Sequence, residues 1–503
     1  MKKNLILVVF IILSVQLFSQ SVYTDNSLLF SQNNYKGTAR FVGMGGAFGA
    51  LGGDLGSLSI NPGGVGVFQS SELVFSPSLL LDNTESTYIG NTLNDNKYKM
   101  TMNNLGFVAS YDLTNADTRW INFNVAATYN KTNNFYRNIF FQGNSNSSIM
   151  EYFVDNANAF GSINVEDDSY IGDNGMYEYL IYETYLLDYD SDNNEFWSQV
   201  TDEKWYIDST NSFNLNQQKL IKNEGSLSEV TIALGANYAH KLYVGLSVGI
   251  VSLKYNEYSS HFEFEDANTT DVFDFRSILF NENSETTGTG INVKLGAIYK
   301  PIDFLRLGLA LHIPTFMDLE ENYYNKATSH FDNGDSYSLS SSSQTYEYSI
   351  TTPLRAIGSL GLQIGKIALF DIDYEYVDYS TIKLEDEENS QDVIDDNIFI
   401  QNNYQLTHNI RVGAEIRSGS FYIRGGSAYS TSPYKKTNYS VNHDSYMLTY
   451  AGGIGYREKH LFIDFAYSQT TNQYKLGVFP GNSYLANIDS KQNNFILTVG
   501  IKF

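Results

Sequence analysis

The chain has 503 residues, a net charge of −24 and no cysteine. The strong negative charge argues against nucleic acid as a partner, because phosphate binding needs a basic surface. The absence of cysteine excludes disulfides and thiolate metal sites, and we predict neither a metal nor a cofactor.

The first residues, MKKNLILVVFIILSVQLFSQ, have the pattern of a secretory signal peptide. Lys2 and Lys3 give a positive start, Leu5–Leu13 form an apolar core, and Ser19 is a small residue suited to cleavage. This apolar core is too short to span a membrane as a helix. We therefore predict export, with residues 1–20 removed and excluded from the fold.

A glycine-rich stretch, Phe41–Gly66, follows the signal and contains ten glycines and almost no charge. Glycine has no Cβ, so such a stretch bends sharply and lets other backbone approach closely. A flexible linker is the alternative, although the stretch is too apolar for one. Gly43–Phe48 lacks the third glycine and the βαβ context of a dinucleotide-binding turn. We predict that residues 21–70 form a compact plug with walls supplied by the rest of the chain.

From Glu72 onward, apolar residues alternate with small or polar ones, which is the pattern of amphipathic strands. In a soluble sandwich the other face would be rich in Lys and Glu, whereas here it mixes Gly, Ala, Asn, Arg and Asp. That mixture suits a crowded polar lumen. The clearest examples are Ile121–Tyr129, Val230–Tyr238, Leu305–Ile313, Ile410–Ile416, Leu461–Tyr467 and Phe495–Phe503.

Short turns alternate with long polar segments between these strands, which is the layout of outer-membrane barrels. We predict an all-β fold: a transmembrane antiparallel barrel of about fourteen strands over residues 71–503, with the plug in its lumen. The even number puts both barrel ends, the plug and the C-terminus on the periplasmic side. The predicted strands lie near 72–89, 97–113, 120–141, 225–240, 242–258, 287–300, 304–328, 344–364, 367–381, 404–417, 421–433, 444–457, 461–475 and 490–503.

The longest interruption, about residues 142–224, contains two segments with helical spacing of apolar residues, Ser148–Phe160 and Gly175–Asp188. We predict a partly helical external loop. It either packs on itself as a cap or offers an apolar groove to a ligand. The candidate groove residues are Phe153, Phe160, Met176, Tyr179, Leu180 and Tyr182. A second external segment, Leu384–Asp396, is acidic and is predicted to be a solvated loop.

Charged residues of both signs fall on the predicted inner face of the barrel. They either pair with one another and hold the wall and the plug together, or some of them meet a ligand carboxylate on its way through. The principal lumen residues are Arg306, Asp371, Asp373, Arg411, Glu415 and Arg424.

The sequence contains no catalytic arrangement. The seven histidines form no HExxH or other metal-binding spacing, and there is no GxSxG nucleophile elbow. We predict that the protein is not an enzyme and has no catalytic residues.

Three segments resemble the FadL/TodX family of outer-membrane transporters. ARFVGMGGAFGALGGDLGSLSINPGGVGVF is similar to the N-terminal hatch of the family, although the family's Asn-Pro-Ala sequence is here Asn61-Pro62-Gly63. Gly288–Phe316 resembles a strand–turn–strand hairpin of the same family. The ending NNFILTVGIKF, with Phe503 last, is similar to the assembly signal of outer-membrane barrels. The chain also resembles a Bacteroidetes branch of the family whose members are often labelled hemin receptors.

The resemblance implies passive uptake of long-chain fatty acids or aromatic hydrocarbons across the bacterial outer membrane. It implies a wall opening at the third strand, here near 120–141, and contact with membrane lipid, lipopolysaccharide and the barrel-assembly machinery. Our hypothesis is that the plug is a ligand-sensitive gate, since its glycines allow a change of shape and its apolar side chains could contact a greasy solute. The gate residues would be Gly43, Gly45, Gly46, Phe48, Leu51, Leu55, Asn61, Pro62 and Gly63.

Two other functions stay open at this point. A barrel of this kind could serve as a surface adhesin or scaffold that transports nothing, with the insertion as its binding element. It could also be a haem-binding receptor, which would favour an axial histidine reachable from outside. The loop candidates for that ligand are His261, His330 and His443.

Overall fold

A computed structural model describes residues 22–114, 118–160, 176–201, 215–265, 274–437, 441–482 and 484–503. The predicted signal peptide and parts of the long insertion lie outside these residues. No helix in the described ranges has the length and apolar character needed to cross a membrane.

Fourteen strands form one closed ring. Each strand pairs antiparallel with the next, and the last pairs with the first. The predicted fourteen-stranded barrel is therefore confirmed. The strands are β1 Glu72–Tyr88, β2 Asn91–Asp112, β3 Trp120–Asn134 with Arg137–Ser145, β4 Leu215–Tyr238, β5 Leu242–Glu265, β6 Phe275–Ile302, β7 Leu305–His312 with Phe316–Phe331, β8 Gln344–Thr351 with Arg355–Ile364, β9 Ala368–Asp378, β10 Leu406–Ser418, β11 Phe421–Thr431, β12 Tyr446–Arg457, β13 Leu461–Gly477 and β14 Leu485–Lys502.

The outer surface of the barrel carries an apolar band. On β4 the outward side chains are apolar only from Val230 to Tyr238, and further along the strand Lys222 and Glu224 point outward. A band of about five outward residues matches the roughly 25 Å apolar height of membrane barrels. Exposed aromatic side chains edge it at the end near the C-terminus (Tyr111, Trp120, Tyr299, Phe304, Phe421, Tyr456 and Phe503) and at the opposite, outer end (Tyr374, Tyr376, Tyr429, Tyr450 and Tyr467).

The two ends of the barrel sequence meet. The backbone N–H of Ser71 donates to the carbonyl of Phe503 at 3.2 Å, and the N–H of Phe503 donates back at 3.0 Å. The plug leads into β1 at this point, so the C-terminus lies beside the exit of the plug, as predicted from the even number of strands.

Three strands that the sequence predicted as continuous are interrupted: β3 briefly between Asn134 and Arg137, and β7 and β8 at prolines. β7 stops at His312 and resumes at Phe316, and β8 stops at Thr351 and resumes at Arg355. Pro314 and Pro353 lie in the interruptions. Proline has no N–H to donate to a neighbouring strand, so the ladder breaks at each of them.

The outer ends of the strands extend further than predicted. The insertion that we placed at 142–224 is shorter, because β3 runs to Ser145 and β4 begins at Leu215. The acidic segment predicted to be a solvated loop instead leads into a helix, α5, at Gln391–Asn403. Ser390 caps this helix, and the helix residues Phe399 and Ile400 are buried.

Two further units fill the barrel. The plug contains α1 Val22–Ser31, α2 Ala39–Gly43 and two 3-10 turns, Leu55–Ser59 and Pro62–Val67. The described part of the insertion, residues 146–160 and 176–201, is named the outer cap. It contains the two helices predicted there, α3 Ile149–Phe160 and α4 Met176–Glu183, and a small ribbon, Asp188–Asp190 with Glu195–Trp197.

Candidate functional site

The glycine-rich stretch lies against the inner wall at the level of the apolar band, backbone against backbone. Gly45 has a φ of 65°, and a Cβ there would lie 2.6 Å from the backbone nitrogen of Ser427 on β11. A Cβ on Gly66 would lie 2.5 Å from the carbonyl oxygen of Ala236 on β4. A residue with a Cβ could not come this close to the wall, so only glycine allows the contact at either position. The plug therefore fits tightly against both sides of the lumen.

Two aspartates of β9 hold the turn that follows α2. The carboxylate of Asp373 accepts hydrogen bonds from the backbone N–H groups of Phe48 and Gly49, both at 3.0 Å. Asp371 accepts the N–H of Ala50 at 3.2 Å. Both carboxylates are fully buried. The two carboxyl groups thus supply acceptors to backbone N–H groups that would otherwise be buried without a partner.

A chain of ion pairs joins the plug to four strands, β10 to β13. Arg40 of α2 makes a bidentate contact with Glu415 of β10, with both nitrogen–oxygen distances at 2.9 Å. Arg424 of β11 bonds Glu415 at 2.5 Å and Asp464 of β13 at 2.6 Å. Arg457 completes the chain at 2.6 Å from Asp464. Every charge in this chain has an opposite partner, which offsets the cost of burial.

Asn61-Pro62-Gly63 forms the second anchored turn of the plug. The side-chain amide of Asn61 donates to the carbonyl of Gly49 at 2.7 Å and to that of Ala297 on β6 at 3.2 Å. Its oxygen accepts the N–H of Gly63 at 2.9 Å, and Pro62 opens the 3-10 turn. Asn61 thus ties two parts of the plug to each other and to the wall.

All nine predicted gate residues are buried. Phe48, Leu51 and Leu55 face other plug and wall residues and are at most 2% exposed, so they offer no surface to a solute in this conformation. The predicted lumen charge Arg306 donates to the carbonyl of Leu51 at 2.8 Å. The structure thus brings the predicted lumen residue Arg306 into contact with the predicted gate residue Leu51.

The candidate groove residues lie in the outer cap. Phe153 and Leu180 are 1% exposed inside an apolar cluster that the cap shares with the outer ends of the strands. Tyr182 packs against this cluster, and Tyr179 is half-buried. The side chains of Phe160 and Met176 lie outside the described part of the structure. The described groove residues form the core of a cap rather than an open surface.

Glu263 of β5 is the polar anchor of the outer cap. It accepts hydrogen bonds from the hydroxyl of Ser148 at 2.5 Å and from the N–H of Ile149 at 2.8 Å, at the start of α3. The side chain of Gln217 donates to it at 2.8 Å, and the His261 ring lies 2.8 Å from it. His261, a candidate haem ligand, is therefore buried in this network.

The other two haem candidates lie on the surface. His330 is exposed near the outer end of β7. His443 lies 3.0 Å from the carboxylate of Asp444 in the segment before β12.

Strands β2 and β3 are not hydrogen-bonded to each other along their full length. Their pairing ends at Asn104 and Asn130, although both strands continue. Above this point β2 pairs only with β1, and side chains alone bridge the opening: the Lys131 ammonium bonds the Thr101 hydroxyl. We name this opening the wall gap. Met100, beside it on β2, is 78% exposed.

The extended segment between α1 and α2 crosses the wall gap on the inside. The N–H of Asn34 donates to the carbonyl of Thr132 at 2.8 Å, and that of Lys36 donates to Lys131 at 3.2 Å. The plug thus uses backbone groups of β3 beyond the last residue that pairs with β2. Lys36 lines a cavity together with Asn409 and Arg411 of β10. Burial lowers the pKa of its ammonium to about 8.

Our sequence analysis missed Arg40 and Lys36. Arg40 directly precedes the apolar, glycine-rich stretch, and its side chain is 11% exposed; Lys36 lies in the polar segment before it and is 4% exposed. A cation beside an apolar stretch needs a partner inside the fold, which for Arg40 is Glu415. That signal was present in the sequence, but the sequence alone did not identify the partner.

A family model described as outer membrane protein transport protein (OMPP1/FadL/TodX) matches residues 214–480. The chain belongs to this family. Its members are outer-membrane transporters of hydrophobic compounds, in agreement with the apolar outer band and the plug. The family resemblance predicted from the hatch motif is confirmed, even though the matched region excludes the hatch.

Solved structures share the fold along nearly the whole chain. A Pseudomonas aeruginosa FadL homologue matches with a TM-score of 0.54 and 13% identity, over 94% of this chain and 99% of the other. The Ralstonia pickettii toluene transporter TbuX matches with a TM-score of 0.51 and 16% identity, over 93% and 99%. The P. putida toluene transporter TodX matches with a TM-score of 0.51 and 12% identity, over 93% and 99%. No curated protein matches the sequence.

Proposed function

We propose that this FadL/TodX family member takes up hydrophobic or amphipathic solutes passively, and that they leave the lumen sideways through the wall gap. The observation that carries the proposal is the end of β2–β3 pairing at Asn104 and Asn130. An apolar solute that passes there moves from the lumen into the bilayer without crossing the charged floor below.

The plug makes the axial route unfavourable for such a solute. Its underside is tied to the wall by the Arg40–Glu415 pair and by Asp371 and Asp373. An apolar molecule gains roughly 25 cal/mol for each Å² that it removes from water, and it gains nothing comparable among paired charges. A lateral route leads past the exposed Met100 to the apolar outer band.

The same geometry makes the plug a gate for the lateral route. The segment with Asn34 and Lys36 covers the inner side of the wall gap through its bonds to Thr132 and Lys131. A solute that displaces this segment frees the edge of β3. No new fold is required, because displacement breaks only a few hydrogen bonds: the two backbone contacts and the bond from the Asn133 side chain to the Gln32 carbonyl.

Cross-linking of the wall gap tests the lateral route. The chain has no cysteine, so cysteines at Thr101 and Lys131 form a unique pair for a short, reducible thiol cross-linker. In cells that lack their own fatty-acid transporter, closure should abolish uptake of labelled dodecanoate, and reduction should restore it. The matched control joins Thr87 and Thr92, which face each other at 3.0 Å in the β1–β2 hairpin, away from the gap.

The cross-link has three informative outcomes. Loss of uptake with the gap pair alone supports lateral release. Full uptake with the gap pair closed refutes it and leaves displacement of the plug as the route. No uptake by the unmodified chain in any form favours a surface protein that transports nothing.

Replacement of Asn61-Pro62-Gly63 by alanines tests the gate separately. It removes the bonds of Asn61 to Gly49 and Ala297. We expect altered uptake with normal barrel assembly, measured by heat-modifiable migration in gels. Unchanged uptake would refute a gating role for this turn.

A further inference from the structure

Three tyrosine rings and one carboxylate share a surface inside the barrel beside α1. The ring of Tyr23 of α1 packs against those of Tyr346 and Tyr348 of β8, with ring centres 5.0 and 5.3 Å apart. The two β8 rings stack at 5.5 Å. Glu321 of β7 lies directly opposite Tyr346 in the strand register. We name this surface the tyrosine patch (Tyr23, Tyr346, Tyr348 and Glu321).

The tyrosine patch lies beyond the apolar band of the barrel. Asp318 and Glu320, which flank Glu321 on the outward side of β7, are exposed and charged. Tyr23 and Tyr346 are half-buried, so part of each ring stays accessible. The patch therefore belongs to the outer part of the lumen, where a solute arrives before it reaches the wall gap.

Glu321 has no counterion in the described part of the chain. Its side chain is 3% exposed, and its Oε2 has no hydrogen-bond partner among the described residues. The charge closest to it in effect is another carboxyl group, that of Glu257 on β5. Burial, and after it Glu257, raise the pKa of Glu321 to about 7. A buried carboxylate in such surroundings is costly until a positive charge joins it.

Two more buried oxygens beside Glu321 lack partners. Within the described ranges, neither the hydroxyl of Tyr348 nor Oγ1 of Thr286 makes a hydrogen bond, and the residues are 5% and 0% exposed. Thr286 of β6 pairs with Glu321 in the register, so the two side chains share the inner face. Burial, and after it the Glu321 carboxylate, raise the pKa of the Tyr348 hydroxyl, which places these groups within electrostatic reach of each other.

Other buried glutamates of the lumen have a cation of the protein beside them. Glu229 bonds Lys294 at 2.6 Å, and Glu375 bonds Arg355 at 2.8 Å. Glu321 has ring faces instead. Aromatic faces attract positive charge, and cages of aromatic rings hold organic ammonium ions. An organic cation on the patch would satisfy the carboxylate and the rings together, whereas an anion would be repelled by Glu321 and Glu257.

We propose that the tyrosine patch binds the ammonium group of an organic cation between its ring faces and the Glu321 carboxylate. The inference rests on the proposed function and deepens it, because it names solutes with a positively charged end as a class that the lumen receives. The plug takes part in this site directly, since Tyr23 belongs to α1.

Calorimetric titration of the purified full-length barrel in a non-ionic detergent tests the site. The probes share a hexyl chain and differ in charge: hexyltrimethylammonium, 1-hexanol and hexanoate. The parent should bind the cation about tenfold more tightly than the alcohol, or better. Glu321→Gln keeps the shape of the side chain and should weaken cation binding about tenfold or more, because the charge partner is lost. Binding of the alcohol should not change.

Glu320→Gln is the matched control for the charge. Glu320 is the adjacent residue on the same strand, but it is exposed on the outward side and bonds the side chain of Asn322. This variant should bind the cation like the parent. Tyr348→Leu removes a ring face and should also weaken cation binding, while Tyr348→Phe keeps the ring and should retain it.

Glu321→Gln breaks no ion pair among the described residues, so the variant should assemble as the parent does, which heat-modifiable migration in gels checks. Equal affinity of the parent for the cation and the alcohol, tighter binding of hexanoate, or unchanged cation binding in Glu321→Gln would overturn the cation site. None of these results affects the lateral route, which the cross-link at the wall gap tests with dodecanoate. Cation binding as expected, together with uptake that persists through the cross-linked gap, would refute the route and leave the site standing.

Discussion

The plug and the outer cap both close the barrel, but they are held by different forces. The plug meets the wall through its backbone, with glycines such as Gly45 in direct contact and Arg40 in an ion-pair chain. The outer cap meets the strand ends through large apolar side chains, among them Phe153, Phe275 and Phe331, with Glu263 as a polar anchor.

This difference suggests different mobilities. Hydrogen bonds and ion pairs that break can be replaced by water, so a plug fixed in this way can shift in small steps at modest net cost. An apolar cluster exposes its whole surface when it opens, so a cap fixed in this way stays closed or opens as a unit. The contrast fits the proposed function, in which the plug is the gate and the outer cap keeps the outer end closed.

The largest expected effect comes from Gly45→Ala. The new Cβ would meet the backbone of Ser427 at 2.6 Å and would also sit at a φ of 65°. The plug cannot dock unchanged, so ion conductance in planar bilayers should rise from closed to steadily open. Gly90→Ala carries similar backbone strain at a φ of 81° but has no atom within 4 Å, and should conduct like the parent. Equal conductance of all three proteins would contradict tight docking.

Arg40→Met should be next in size. It leaves Glu415 buried with only one of its two arginine partners, and removal of one member of a buried pair costs about 3–5 kcal/mol. We expect a loss of this order in plug docking, measured by protease access to residues 21–70. Lys300→Met breaks a pair with the exposed Asp303 and should cost under about 1 kcal/mol. A result for Arg40→Met as small as this control would show that the ion-pair chain does not hold the plug.

Glu263→Gln should have a smaller effect that is confined to the outer cap. It keeps the shape of the side chain but weakens the bonds from Ser148 and Ile149, at about 1–3 kcal/mol. Proteolysis within the insertion should increase while protease access to the plug stays the same. Glu224→Gln, a surface control, should change neither. Increased plug cleavage in Glu263→Gln would mean that the two units are coupled.

The smallest effect concerns pH and Lys36. Burial lowers the pKa of this ammonium from 10.5 to about 8, so between these values the unfolded chain holds a proton that the folded chain has released. The free energy of unfolding should therefore rise with pH over this window in the absence of amphiphile.

Lys36→Met removes that rise. Urea midpoints at pH 7.5 and pH 10, compared between the parent and Lys36→Met, isolate the contribution from the cavity's other ionisable groups, Tyr35, Arg411 and Tyr429. Identical pH dependence in both proteins would contradict a buried, neutralised lysine.

The strand pattern could be predicted well where the outer face is in lipid. Alternation at Val230–Tyr238 is strong because one face is apolar and the other small or polar. The outer half of β6, near Asn281–Thr289, has polar residues on both faces, so the alternation of apolar and polar residues disappears there. The sequence therefore predicts a start near residue 287, whereas the strand begins at Phe275. The helix α5 was missed for a related reason: its buried Phe399 and Ile400 lie beyond the acidic segment that suggested a loop.

The sequence indicates which types of residue form the site, but not which of them contact each other. Glycine content and Asn61-Pro62-Gly63 indicated a plug, and alternation placed Asp373 and Glu415 on the inner face. That Asp373 holds the N–H of Phe48 and Glu415 holds Arg40 depends on contacts more than 300 residues apart in the chain. Such contacts follow from the way the ring closes and from no local pattern.

The junction of the first and last strands has a consequence for biogenesis. It runs from Glu72 opposite Lys502 to Thr87 opposite Asn487, so it joins segments that are synthesised hundreds of residues apart. The plug precedes β1 and touches both sides of the lumen, so it docks completely only where both walls are present. A chain that stops short of its last strand therefore cannot enclose its own plug.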